Sequence, residues 1–137
     1  MSMADFNAQV INEFRENSGK VGGMFEGMPI VLVHHVGARS GEARVAPLAY
    51  LPVGDGYAVF ASKGGSPQNP GWYHNLKASP HTTIEVGDRT LAVVAEEATG
   101  EERDRLFAEQ STAHPQFAGY QENIERKIPV IVLKPEA

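Results

Sequence analysis

The sequence predicts a small, mainly β (α+β) barrel of about six mostly antiparallel strands, with helices at its periphery. Three observations predict it. Six apolar, largely β-branched runs recur along the chain. Turn-forming residues join them over short, hairpin-type connections. The strict strand–helix alternation of a doubly wound sheet is missing, as are the Gly-x-Gly-x-x-Gly and Gly-x-x-x-x-Gly-Lys fingerprints of nucleotide-binding folds. With 137 residues the chain reads as one domain with enough material for a core. Residues 1–20 supply an N-terminal helix and residues 21–137 the barrel.

Phe6, Val10 and Phe14 recur every four residues, which predicts a helix from Ala4 to about Asn17. Its polar face is mostly acidic, so packing on the barrel or on a second subunit fits better than a grip on anionic lipid. Ser18 to Gly23 ends it. Met24, Phe25 and Met28 then fill core or line a pocket mouth. Ile30–Val36 reads as a buried strand. His34 and His35 are adjacent on it, so they face opposite sides and make no two-histidine metal site; none of the five histidines has ligand spacing, and no metal is expected. The turn Gly37–Glu42 leads to a strand from Arg44 to Leu51, where Pro47 predicts an edge or bulge. Tyr57–Ala61 is a third strand. A short helix spans about Trp72 to Lys77. Thr82–Val86 and Arg89–Ala95 form a hairpin across Gly87-Asp88. Thr99 and Glu102 have capping-box spacing, opening a helix to about Gln110 that buries Leu106 and Phe107 and leaves Arg103 on the surface. Phe117, Tyr120 and Ile124 give a further helical stripe after Pro115, and Ile128–Leu133 is the last strand.

Composition excludes several function classes. No apolar run approaches the roughly 18 residues of a membrane span. The start of the chain lacks the basic and apolar regions of a signal peptide, and there is no cysteine. These features fit a cytoplasmic protein, at most peripheral to a membrane. A net charge of −5 argues against nucleic acid as a partner. Residues 30–80, however, hold four basic against two acidic side chains, while the remainder holds eight against fifteen. A locally basic segment in an acidic protein can focus a small anionic ligand.

Two places in that segment carry binding chemistry. Arg39, Ser40 and Arg44 lie within six positions, and an arginine fork with a hydroxyl suits phosphate or carboxylate. The second is the loop from Ala61 to Leu76. Ser62 and Lys63 precede Gly64-Gly65, placing a hydroxyl and a cation beside bare backbone N–H groups. Trp72 and Tyr73 could wall off something flat. The plainer alternative is a long polar connection anchored by a buried tryptophan. These features point to a phosphorylated, planar cofactor.

Four passages together resemble one family: Gly37-Ala38-Arg39-Ser40-Gly41-x-x-Arg44-x-x-Pro47-Leu48; Ser62-Lys63-Gly64-Gly65; Asn69-Pro70-x-Trp72-Tyr73-x-Asn75-Leu76-Lys77-Ala78; and Tyr120-Gln121 before Arg126-x-Ile128-Pro129-Val130. In this order and spacing the chain resembles the deazaflavin (coenzyme F-420)-dependent nitroreductases and quinone reductases, over about residues 20–135. The resemblance implies an FMN-binding-like split β-barrel. It also implies hydride transfer from reduced F-420 to an electron-poor acceptor, either a quinone or a nitroaromatic. The cofactor-binding residues it implies are Ala38, Arg39, Ser40, Arg44, Val45, Ala46, Pro47, Leu48 and Ala49 on one side. On the other are Phe60, Ala61, Ser62, Lys63, Gly71, Trp72, Tyr73, His74 and Asn75. Tyr120 is the implied proton donor, with Ser62 beside the ring or substrate. Phe117 stands where some members have a second tyrosine, which costs the acceptor one hydrogen-bond donor. The residues leave FMN open as an alternative cofactor, a non-catalytic F-420-binding or storage role as an alternative function, and a homodimer as the assembly. A groove running through Lys63 and Lys77 would favour a coenzyme tail of several glutamates.

Overall fold

In three strands the apolar side chains alternate between separate cores, and this alternation shapes the molecule. The computed structural model describes residues 3–25 and 27–136. β1 (Ile30–Val36) sends Val31 and Val33 into one cluster and Ile30 and Leu32 into another. β3 (Gly56–Phe60) divides Val59 from Ala58 and Phe60, and β6 (Val130–Pro135) divides Ile131 and Leu133 from Val130 and Val132. Successive strand side chains face opposite sides. The first cluster therefore fills the barrel, and the other two lie outside it beneath helices. Burial on both faces is why these strands read as unbroken apolar runs.

β2 (Ala43–Val53), β4 (His81–Val86) and β5 (Arg89–Ala98) complete a closed barrel in the order β1-β2-β3-β6-β5-β4, antiparallel throughout. The expected fold class is therefore the observed one. Gly87 turns the β4–β5 hairpin at φ +57°, a conformation glycine reaches without a Cβ penalty. α1 (Met3–Glu16) covers β1 with Val10 and Phe14. Its last turn is fastened by Arg15, which donates to both oxygens of Glu85 at 3.1 and 2.8 Å; His34 Nε2 lies 2.7 Å from the same carboxylate. α2 (Gly71–Ala78) inserts Trp72 and Leu76 into the barrel cluster. α3 (Gly100–Ala113) and α4 (Gln116–Glu122) cover β3 and β6 with Leu106, Phe107 and Phe117. The expectation for Met24 falls outside the described side chains.

Three expectations are corrected. Thr99 holds the N-cap position but makes no side-chain cap; its carbonyl accepts from Arg103 N–H, and Gly100 opens α3 at φ +58°. Arg103 is not a surface residue: it shares the inward face with Leu106, Phe107 and Gln110 and is 8% exposed. Its guanidinium lies over the Phe107 ring and donates twice to the carbonyl of Ile128, at 3.0 and 2.8 Å. That contact also shortens the last strand. The Ile128 N–H donates to Gln121 Oε1 instead of a neighbouring strand, so β6 begins at Val130.

Candidate active site in the split of the barrel

The barrel parts where β2 outruns its neighbour. β3 pairs with β2 only from Tyr50 onward, whereas residues 43–49 of β2 pair with β1 alone. Pro47 falls in this half-free stretch, where a residue without an N–H is tolerated. Between the open edge and the chain leaving β3 lies a cavity of about 400 Å³. Ala46, Pro47, Leu48 and Ala49 form one wall, and Phe60, Ser62, Lys63 and Trp72 the other. Phe117 and Tyr120 reach it from α4, with their rings 5.4 Å apart and near perpendicular.

The loop carrying Ser62 and Lys63 is held from the far end of the chain. Arg126 donates to the carbonyls of Ala61 (3.0 Å), Ser62 (2.9 Å) and Ser66 (2.9 and 3.1 Å), and to Asn69 Oδ1 (2.7 Å). Burial pulls its guanidinium below the ordinary arginine value. Inside this strap residues 63–65 form a tight turn, with Gly65 and Ser66 N–H groups donating to Ser62 and Lys63 carbonyls. Lys63 is left at φ +49°, a conformation unusual for a side-chain-bearing residue and common at functional sites. Gly65 suits the turn because it stands at φ +87°, a conformation L side chains rarely adopt, and it lies against the Tyr120 ring.

A second, more open depression adjoins the first along β2 and at the start of α2. Ala38, Arg39, Ser40, Arg44, Gly71, His74 and Asn75 line it. Gly37 N–H donates to Glu42 O and Gly41 N–H to Gly37 O, which presents residues 38–40 at the tip of the turn. Arg44 is 3.6 Å from Glu42, but both are exposed, so the pair is weak. No side chain caps α2 at Pro70, which leaves its positive end beside the arginines.

The predicted residues are thus gathered into two adjoining places, with three lying aside. Val45 packs under α1, and Ala61 faces the barrel interior with no exposure. Tyr73 leans on the barrel cluster and donates its hydroxyl to Glu97 at 3.0 Å. Lys77 does not extend a groove from Lys63; it is paired with Glu97 at 2.7 Å, away from the cavity. Sequence reading missed Asn7, Pro70 and Gln116 in the cavity wall, and Phe25 and Met28 in fact line it. It also missed the strap made by Arg126. Nothing in local pattern announces such contacts, since the sequence separations run from 57 to 65 residues. An apolar slot with one polar corner, opening onto a basic depression, fits a flat ring with an anionic tail.

The model for F420H(2)-dependent quinone reductases matches residues 7–135. The chain belongs to this family. It is similar to the F420H(2)-dependent quinone reductase Rv1261c of Mycobacterium tuberculosis, at 38% identity over 125 residues, covering 88% of this chain and 83% of the relative. A solved F420-H2 dependent reductase (FDR-A) is 41% identical with a TM-score of 0.71, over 77% of this chain and 94% of that one. A solved domain-swapped dimer is 35% identical with a TM-score of 0.73, over 97% and 100%. Membership decides what residue chemistry left open. The F420H(2)-dependent quinone reductase family consists of oxidoreductases, and the cofactor is F-420 rather than FMN.

Proposed function

We propose that this reductase delivers the hydride of reduced F-420 to a quinone-type acceptor lodged between the open edge of β2 and Tyr120. Bound in the slot, the reduced cofactor supplies the hydride; the chain supplies position, charge and a proton. Arg39, Ser40 and Arg44 hold the anionic tail, with Lys63 facing charge nearer the ring. Ala46–Ala49, Phe60 and Trp72 exclude water from the ring. Ser62 hydrogen-bonds the ring or the acceptor. Uptake of a hydride and a proton turns a quinone into a hydroquinone, and the Tyr120 hydroxyl donates the proton to the acceptor oxygen. The observation that carries this reading is Tyr120 itself, a phenol lining the same apolar cavity as Ser62 and Lys63.

Phe117 is buried against Phe60, with ring centroids 5.7 Å apart, and offers no hydroxyl. With one phenol at the acceptor's place, the site suits a quinone, whose reduction needs a hydride and a proton at its carbonyl oxygen, and a nitroaromatic is expected to react more slowly. The test is the oxidation of reduced F-420, followed optically, with menadione, a nitroimidazole or no acceptor. Rapid oxidation with menadione and a slower rate with the nitroimidazole is expected. Oxidation that no quinone accelerates would reject the reading. The domain-swapped assembly of a relative supports a homodimer here, which a molar mass from light scattering would check.

A further inference from the structure

His35 stands on the strand leading into the Arg39 turn, yet it lines neither cavity and no step above uses it. It is 8% exposed, and its Nδ1 lies 2.9 Å from Nδ2 of Asn75, which is 9% exposed. The backbone N–H of Ala38 lies 2.9 Å from Asn75 Oδ1. A backbone N–H can only donate, so Oδ1 is the acceptor there and the other arm of the amide is its NH2 group. That group must donate to a bare Nδ1, which leaves the ring proton on Nε2. One buried amide thereby ties β1, the turn and α2 together. The turn supplies Ala38, Arg39 and Ser40 to the basic depression and α2 supplies Gly71 and His74, while β1 leads into the turn.

We propose that His35, as its neutral Nε2–H tautomer, is a positioning residue for the basic depression, which grips its anionic ligand only while Nδ1 is bare. The proposal rests on reading the depression as the seat of the F-420 tail. A proton on Nδ1 would face the Asn75 NH2 group. Turning the amide over would only move the clash to Ala38 N–H, so one link breaks either way. Burial, then Arg44 opposite on β2, then neighbouring His34 all push the His35 imidazolium toward losing its proton. From α2 it meets the neutral Asn75 amide, while His74 and Arg39 line the depression beyond. The β4 carboxylate Glu85 is taken by His34, on the opposite face of β1. The link therefore holds at neutral pH and fails in acid.

The test combines imidazole nitrogen NMR on the cofactor-free protein with F-420 titrations, by fluorescence quenching, at pH 7.5 and 5.0. His35→Asn keeps an acceptor oxygen where Nδ1 lies but does not titrate; His35→Leu removes the acceptor. A bare Nδ1 at pH 7.5 is expected in the NMR spectrum. Between the two pH values the wild type should lose at least threefold more affinity than His35→Asn, which shares any titration of the ligand. His35→Leu, checked for an intact melting transition, should be weakened at both. A proton on Nδ1 at neutral pH, or identical pH dependence in wild type and His35→Asn, would overturn the proposal. Unchanged binding in Arg44→Ala, with the tautomer as expected, would instead overturn the reading of the depression beneath it.

Discussion

Arg126 Nη2 donates to the carbonyl oxygen of Ser62 at 2.9 Å and so ties the residue before Lys63 to the segment just ahead of β6. That segment is itself anchored. Gln121 Nε2 donates to the Arg126 carbonyl at 2.8 Å, and Arg103 Nη2 donates to Gln121 Oε1 at 2.9 Å. A chain of donors thus runs from α3 to the polar corner of the cavity. Arg126→Met would leave several half-buried carbonyls without a donor, at an expected cost of about 2–4 kcal/mol in stability. Arg126→Lys keeps the charge but not the fork, so partial recovery is expected. Urea denaturation measures the first effect, and F-420 titration of both variants the second.

Gly65 lies against Tyr120 in a backbone conformation that a side chain would strain. Gly65 sits at φ +87°, where any side chain strains the backbone, and a Cβ there would touch the Tyr120 ring at 3.4 Å. Gly65→Ala is expected to cost about 1–2 kcal/mol from the left-handed backbone and to lower turnover by moving the tyrosine. A kcat for menadione equal to wild type would show that the ring tolerates the shift.

Tyr120→Phe removes the phenol and leaves the packing with Phe117 in place. Turnover should fall about 10²- to 10⁴-fold, in the range of a lost general acid, with affinity for F-420 nearly unchanged. Steady-state kinetics alongside direct titration separates the two. Unchanged turnover with every quinone tried would remove Tyr120 from the reaction.

Arg39→Ala and Arg44→Ala should each weaken F-420 binding, by about 1.5–3 kcal/mol if a charge-assisted hydrogen bond is lost. Arg105 is the matched control: it is exposed on α3 and, among the described residues, paired with Glu109 four residues on. Arg105→Ala should bind F-420 as the wild type does. Arg103 cannot serve as that control, because its loss would unmake the contacts with Ile128 and Gln121.

Glu85 gives a pH-dependent lock on α1. Hydrogen bonds from Arg15, then from His34, hold its carboxylate below the usual range. A carboxylate lowered in the folded state contributes stability above its unfolded value, and the contribution fades as pH falls through the folded value. Glu85→Gln should therefore melt below wild type at pH 7, with the gap narrowing toward pH 3. A gap that stays constant across that range would show that the ion pair contributes nothing.

Local pattern carried much of this protein. Phe6, Val10 and Phe14 declared α1, Gly87-Asp88 declared a hairpin, and unbroken runs declared strands buried on both faces. Most residues of the candidate site were legible for a similar reason: arginines, a hydroxyl and glycines cluster within a few positions at 37–44 and 61–76. Periodicity and turn chemistry act over short distances, and so does the gathering of arginines in one turn. Long-range hydrogen bonds leave no such trace. Arg103 looked like a surface charge until Ile128 and Phe107 came beside it, Lys77 looked like part of a groove until Glu97 took it, and His35 looked idle until Asn75 reached it from 40 residues away. By itself the sequence determined which elements form and which residue types could bind an anion beside a flat ring. Only the tertiary structure decided that β2 joins β3 no earlier than Tyr50, so that a cavity opens along residues 43–49, and that Arg126 holds Lys63 at its edge. The reason is geometric: closing a barrel juxtaposes strands far apart in the chain, and which donor meets which carbonyl is settled only once they pack.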